Sequence, residues 1–228
     1  MAIKIQAPPM SQALTCVRGF SECRSRERKG AAMTGIVMGT VWLSILGTLS
    51  PSGGAQGPPR ALIKTDLGDI EIELYQDRAP VTVANFLKYV DERRFQGATF
   101  YRVVRLGNQP DNDVKIDVIQ GGLGQDDHES QLPSIRHETT RETRILHEDG
   151  VISMARLEPG TASSEFFICV GDQPELDFEG RRNPDGQGFA AFGKVTQGMD
   201  VVRKIHQGAA KGQSLEPQIA IRDIVKLR

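Results

Sequence analysis

The four histidines of this 228-residue chain are the side chains best suited to bind a transition metal or to transfer protons near neutral pH. They are His128, His137, His147 and His206, and no pair has the spacing of a metal site or an accompanying carboxylate to complete one. The sequence also contains no glycine-rich phosphate loop, nucleophile elbow or paired-carboxylate arrangement. We therefore predict no metal and no cofactor, so any catalysis has to come from a site of another kind.

The three cysteines are also poor candidates for catalysis. Cys16 and Cys23 lie near the N-terminus, in a segment that we expect to be removed. Cys169 would then be the only thiol, so no intrachain disulfide could form. It lies in the apolar run 166–170, and such neighbours favour a buried core thiol over a reactive one.

The first 55 residues have the organisation of an export signal. Four basic residues between positions 24 and 29 precede the uncharged stretch 31–49, and the small residues Gly53 and Ala55 precede the predicted cut. The alternative is an uncleaved anchor, because about twenty apolar residues can span a bilayer. We expect an exported protein, periplasmic or secreted, with cleavage favoured and with membrane contact only through an uncleaved leader.

Charge is distributed unevenly between the leader and the remaining chain. Residues 1–55 carry six Lys or Arg against two Asp or Glu, which leaves 22 basic and 27 acidic residues in the remainder. That remainder offers no clustered basic surface, so we predict no nucleic-acid partner. We divide the chain into a leader over 1–55, a short linker over 56–60 and one domain over 61–228.

The pattern of apolar residues predicts the elements of this domain. Residues 61–74 alternate in two stretches around Leu67-Gly68, which indicates a β-hairpin. Helical spacing of apolar residues runs from Val83 to Val90, and a second helix fits 199–207. Further strand candidates are 99–104, 114–120, 150–155, 165–170, 189–195 and 219–226. The short connections favour a mainly antiparallel barrel with two helices packed on it.

Five segments carry more information than periodicity does. They are Phe100-Tyr-Arg-Val-Val104, Val118-Ile-Gln-Gly-Gly122, Ile152-Ser-Met-Ala-Arg156, Ser164-Glu-Phe-Phe-Ile168 and Phe192-Gly-Lys-Val195. In this order and spacing the domain resembles the cyclophilin family of peptidyl-prolyl cis-trans isomerases over essentially all of residues 61–228. The stretch 133–138 is more similar to bacterial than to eukaryotic members, so the resemblance is to an exported bacterial subgroup. It implies an eight-stranded antiparallel β-barrel capped by two α-helices.

The resemblance also implies roles for particular residues. Arg102 occupies the arginine of the family motif and would donate hydrogen bonds near the prolyl nitrogen, while Gln120 would support Arg102 and the substrate backbone. Phe167 would form the aromatic floor of the proline pocket. The remaining candidates for substrate binding are Val118, Met154, Leu176 and Phe189 in the pocket walls and Ala155 beside the bound peptide. The alternatives are a surface ion pair for Arg102, an unrelated buried amide for Gln120 and ordinary barrel core for the apolar residues.

Three features depart from the family pattern. The connection 105–115 is longer than the usual short turn. An alignment carried back from Gln120 without a gap places Asp117 where a pocket phenylalanine is usual, and Glu175 replaces a common aromatic residue. Together with Glu165, these carboxylates would give the groove a negative rim that attracts basic residues; the alternative is that they are solvated and act independently.

Two functions are compatible with these observations. The first is an enzyme that isomerises Xaa-Pro bonds in exported proteins and so assists their folding. The second is a chaperone or scaffold that holds proline-containing segments with little or no turnover. In both cases the expected partners are proline-containing polypeptides, and we expect a monomer.

Overall fold

The computed structural model describes residues 57–124 and 128–227, and the export segment predicted for residues 1–55 lies outside them. The strands are β1 (Arg60–Thr65), β2 (Gly68–Leu74), β3 (Thr99–Val104), β4 (Val118–Gly122), β5 (Val151–Met154), β6 (Phe166–Cys169), β7 (Ala190–Gln197), β8 (Ala210–Lys211) and β9 (Ser214–Leu227). The helices are α1 (Pro80–Asp91), α2 (Thr140–Thr143) and α3 (Met199–His206), with 3₁₀ turns at Leu106–Asn108 and Pro174–Leu176. No helix in these two ranges is long and apolar enough to cross a bilayer.

Eight of the strands close into a barrel. They follow the order β1-β2-β7-β5-β6-β4-β3-β9, and β9 pairs with β1 to complete the circle. All pairings are antiparallel, and β8 pairs with β9 alone. The predicted eight-stranded antiparallel barrel is therefore confirmed.

The barrel interior is filled by alternating apolar side chains. In β1 and β2, Ala61, Ile63 and Ile72 are fully buried, while the residues between them are partly exposed. This two-residue period is what places one face of each strand in the core. In the hairpin between β1 and β2, Gly68 adopts φ +133°, and a Cβ there would lie 2.8 Å from Val201. The turn therefore requires glycine.

Helices α1 and α3 pack on the barrel as the apolar spacing predicts. Helix α1 begins with Pro80 in its first turn, where the missing N–H removes no helical hydrogen bond. The helix contacts β7 and β9. Its Phe86 ring lies 5.9 Å from Phe166 and 5.3 Å from Phe192, centroid to centroid. Helix α3 contacts β2, β3 and β4.

The structure differs from the predicted elements in short or irregular segments and at the start of β9, which begins at Ser214 rather than 219. Strand β4 begins at Val118 rather than 114, because residues 105–117 form a 3₁₀ turn and an extended loop. Helix α2 has only four residues, too few to produce a periodic pattern, and it is held by the Thr139 side chain accepting from the Glu142 N–H. The two-residue β8 and its turn to β9 were not predicted either.

Candidate active site

A cavity lies on the outer side of the barrel. Side chains of a strand alternate between its two faces. In β6, Phe166 and Ile168 join the interior core, whereas Phe167 and Cys169 join a second cluster. We call this second cluster the floor cluster, and it consists of Val104, Ile116, Val118, Phe167, Cys169 and Leu176. An open cavity of about 640 Å³ is lined by every member except Cys169, so the cluster forms the base of the cavity.

Arg102 lies at one side of this cavity and is held by two glutamines. Its Nη1 donates to Gln120 Oε1 at 2.8 Å, and its Nε donates to Gln213 Oε1 at 2.9 Å. Its Nη2 donates to the same Gln213 oxygen at 2.5 Å. Burial lowers the pKa of the Arg102 guanidinium, although an arginine remains charged at physiological pH. Because both partners are neutral amides, the positive charge stays available to a ligand.

A chain of hydrogen bonds fixes the orientation of Gln120. Its Nε2 donates to the Tyr101 hydroxyl at 2.7 Å, and that hydroxyl donates to Glu165 Oε2 at 2.7 Å. The other Glu165 oxygen accepts from the Gly124 N–H and the Ser164 hydroxyl, both at 3.0 Å. Burial, followed by the Glu165 charge, raises the pKa of Tyr101, so the phenol stays protonated and donates.

The floor of the cavity is aromatic and apolar. Phe167 is 4% exposed, and its ring meets the Phe189 ring edge-on with centroids 5.2 Å apart. On its other side Phe167 stacks on His147 at 5.9 Å with an interplanar angle of 15°. Such a surface suits a saturated ring like that of proline, since it offers contact area without competing hydrogen bonds.

His147 has the hydrogen-bond partners of a catalytic triad but lies beneath the floor. Its Nδ1 lies 2.7 Å from Asp177 Oδ1, and its Nε2 lies 2.9 Å from the Ser153 hydroxyl. Ser153 is fully buried and does not line the cavity, so its hydroxyl cannot meet a substrate. We interpret the three residues as a rigid support for Phe167. The sequence analysis missed this group, because the histidines give no signal by spacing.

Most of the residues proposed from the sequence line the cavity. They are Arg102, Gln120, Phe167, Val118, Ala155, Leu176 and Phe189. Their roles remain predictions, but the structure brings all of them to one surface. The cavity also has lining residues that had not been proposed, among them Ile116, Arg182 and Asn183.

Met154 is a correction to the proposed set. It is 1% exposed, belongs to the interior core and does not line the cavity. It is paired in register with Phe166 and Ala190, two other interior residues. The next residue, Ala155, lines the cavity, so the strand alternation assigns Met154 to packing.

The expected intrusion of Asp117 into the pocket is also wrong. Ile116 and Val118 line the cavity, and Asp117 between them lies on the opposite side of the chain. Its Oδ1 accepts from the Leu106 N–H at 3.2 Å and lies 3.5 Å from His206 Nε2. The ungapped alignment failed because the chain enters β4 from a longer loop, and Ile116 supplies the apolar contact.

The predicted acidic rim does not form. Besides Asp117, Glu175 is engaged by Arg181 at 2.7 Å, and the Arg181 hydrogen bonds lower the pKa of the Glu175 carboxyl. Glu165 is occupied by Tyr101, as described above. Among residues 57–124 and 128–227, no group of three potential metal ligands is found.

The site is thus an open cavity on the outer side of an antiparallel barrel, with an apolar floor and a fixed arginine at one side. Residues 60–226 match the family model described as cyclophilin type peptidyl-prolyl cis-trans isomerase/CLD. The chain is 36% identical over 175 residues to peptidyl-prolyl cis-trans isomerase A of Dickeya dadantii, covering 75% of this chain and 84% of that protein. It is 35% identical over 158 residues to peptidyl-prolyl cis-trans isomerase B of Escherichia coli, covering 66% and 85% respectively.

Solved structures agree on the fold. A cyclophilin type peptidyl-prolyl cis-trans isomerase of Cryptosporidium parvum superimposes with a TM-score of 0.60 at 21% identity, over 75% of this chain and 98% of that chain. The chain therefore belongs to the cyclophilin family, and it is an enzyme of the peptidyl-prolyl cis-trans isomerase class.

Proposed function

We propose that this enzyme accelerates rotation about Xaa-Pro bonds in exported polypeptides and so assists their folding. The observation that carries the proposal is the position of Arg102 at the edge of the floor cluster, in the same cavity as Phe167. A proline ring on the floor would bring its amide nitrogen towards the guanidinium. The Cryptosporidium parvum relative was also solved in the presence of the dipeptide Ala-Pro, which supports a proline-containing substrate.

The chemistry required of this site is the stabilisation of a twisted amide. Rotation about the Xaa-Pro bond crosses a barrier of roughly 18–20 kcal/mol, because it breaks amide resonance. A hydrogen bond donated to the prolyl nitrogen stabilises the twisted state more than either planar state, since the nitrogen lone pair is free only in the twisted state. Gln120 and Gln213 hold the Arg102 donor before substrate arrives, so little reorganisation is needed.

The alternative is a binding module with little turnover, and its main support was the expectation that the Asp117 carboxylate enters the pocket. Asp117 instead lies outside the cavity. The longer 105–115 connection contributes Asn112 to the cavity lining and leads directly into the floor residue Ile116. The position of Asp117 favours an active isomerase.

Substitution of Arg102 tests the isomerase function. Arg102→Ala should reduce kcat/KM on a proline tetrapeptide by about 10²- to 10³-fold, the usual effect of losing one preorganised donor to a transition state. Circular dichroism and thermal unfolding should show an unchanged fold. Arg181→Ala is the matched control, because Arg181 is exposed and pairs with Glu175 away from the cavity. Equal turnover by wild type and Arg102→Ala would remove the assignment.

Export is tested separately, on the full-length chain. The leader over residues 1–55 supports a mature protein that begins at Gln56. Mass spectrometry of protein recovered from the cell envelope should detect that N-terminus. A species that retains residues 31–49 and is extracted only by detergent would establish the anchor, and recovery with the cytosolic fraction would contradict export.

A further inference from the structure

Two arginines line the cavity with only neutral partners. The partners of Arg102 are the amides of two glutamines, as described above. Arg182 donates from Nη1 to Gln109 Oε1 at 2.8 Å and to the Val114 carbonyl at 2.7 Å. Burial and then the Arg102 charge lower the pKa of Arg182, and both arginines line the same cavity. Within the described parts of the chain, neither has a carboxylate partner.

The cavity holds two further charged groups, the arginine Arg156, which is paired with a carboxylate, and the carboxylate Glu165. Arg156 forms a bidentate pair with Asp185 at 2.8 and 2.9 Å, and its side chain is only 1% exposed. The hydrogen bonds from Arg156 lower the pKa of the Asp185 carboxyl, as expected for a tight pair. Glu165 accepts only from neutral donors and so keeps one negative charge on the Tyr101 side of the cavity. Against it stand the two positive charges of Arg102 and Arg182, so the cavity charges without an ionic partner sum to a positive value.

Arg182 is positioned by a buried side chain of the long connection. Gln109 is 1% exposed, and its Nε2 donates to the carbonyls of Arg105 and Ile116, both at 2.8 Å. Its remaining atom, Oε1, is the acceptor for Arg182. The adjacent Asn183 also lines the cavity, and its buried Nδ2 has no acceptor among the described residues. A fixed cation is therefore followed in sequence by a buried amide whose donor has no acceptor among the described residues.

We propose that Arg182 is a specificity-determining residue that selects proline segments with an Asp or Glu side chain within two residues of the proline. The proposal rests on the isomerase function and deepens it by naming the class of substrate. A carboxylate beside Arg182 would meet a cation without an ionic partner, in a cavity to which Arg102 adds a second positive charge. This is the opposite of the basic preference that an acidic rim would produce.

The test compares three peptides that are blocked at both ends and differ only in Glu, Gln or Lys beside the proline. Cis-trans exchange is followed by NMR, which avoids the sequence preference of a coupling protease. For the wild type we expect kcat/KM for the Glu peptide to exceed that for the Lys peptide by about fivefold at low salt, as for one partly exposed ion pair. High salt should reduce this ratio.

Variants then assign the preference to a residue. Arg182→Gln should lose most of the Glu-to-Lys ratio, and Arg182→Lys should retain much of it because the charge remains. Arg181→Gln is the matched control: the neighbouring arginine has the same charge but does not line the cavity, so the ratio should not change. The wild-type comparison does not depend on any variant folding.

Two results would overturn the proposal while leaving the isomerase function intact. One is that the wild type turns over the Gln peptide but has the same kcat/KM for the Glu and Lys peptides. The other is that Arg181→Gln and Arg182→Gln lower the Glu-to-Lys ratio equally, since the preference would then depend only on the overall charge of the protein. Absence of turnover on all three peptides would contradict the isomerase function itself, and this proposal with it.

Discussion

The interior core and the floor cluster share the same strands but serve different purposes. In β6, Phe166 is fully buried in the core and its neighbour Phe167 forms the floor. In β4, Ile119 faces inward and Val118 faces the cavity. In these two strands one face therefore belongs to the barrel core, and the other lines the cavity. We expect that substitutions of adjacent residues will change stability and activity separately.

The largest separation is expected between Phe166→Ala and Phe167→Ala. Phe166 lies between the rings of Phe86, Phe95 and Phe100, so its truncation should lower the free energy of unfolding by about 3–5 kcal/mol. Phe167 already borders an open cavity, so the same truncation should cost less stability while sharply raising KM. Urea unfolding and steady-state isomerisation measure the two effects.

If the alanine variant at 166 does not fold, Phe166→Leu and Phe167→Leu preserve the comparison with a smaller loss of volume. The leucine at 166 should lower stability more than the leucine at 167, and only the leucine at 167 should change KM appreciably. Equal losses of stability with unchanged KM at both positions would show that the floor cluster is ordinary packing.

Sequence alone could predict the barrel because strand alternation and helical spacing repeat over many residues. The same alternation correctly separates Phe166 from Phe167. Met154 was misassigned because the family resemblance, and not the alternation, supplied it as a pocket residue. All four residues of β5 are buried, so the strand has no exposed position, and its register with the neighbouring strands corrected the assignment.

Two of the residues that sequence analysis missed, Gln213 and Arg182, lie in irregular segments. Gln213 is in the turn between β8 and β9, and Arg182 follows the 3₁₀ turn at Pro174–Leu176. Neither has a periodic environment, and each reaches the site through contacts that are distant in sequence. Gln109 and Arg182 are an example, since their hydrogen bond joins positions 73 residues apart. Such contacts are visible only in three dimensions.

Gln213→Ala should produce an intermediate effect on activity. Gln213 accepts from two nitrogens of Arg102, and its own Nε2 donates to the Asn108 carbonyl at 3.2 Å. Without it Arg102 loses part of its fixed orientation, so kcat should fall roughly tenfold, the value of one hydrogen bond to a charged group. KM should change little, because Gln213 does not line the cavity.

Gln218→Ala is the matched control for this positioning role. Gln218 lies on β9, is exposed and accepts from the Thr99 hydroxyl away from the cavity. Its substitution should leave kcat unchanged. A rise in KM with unchanged kcat in Gln213→Ala would indicate that Gln213 contacts substrate and does not position Arg102.

The smallest effect is expected for Asp117→Asn, next to the floor residue Ile116. Asparagine has nearly the same shape and can still accept from the Leu106 N–H, while it removes the charge that faces His206 at 3.5 Å. The free energy of unfolding should fall by about 0–1 kcal/mol, as for a partly exposed pair. The isomerase kcat/KM should stay within roughly twofold, since ion pairs of this kind outside a cavity contribute little to it.

Ile116→Asn is the contrasting variant, because it places the same amide on the floor, where a buried polar group without a partner is unfavourable. It should lower both stability and turnover. If Asp117→Asn changed turnover as strongly as Ile116→Asn, the carboxylate would reach the substrate, and the distinction between the two sides of this segment would be wrong.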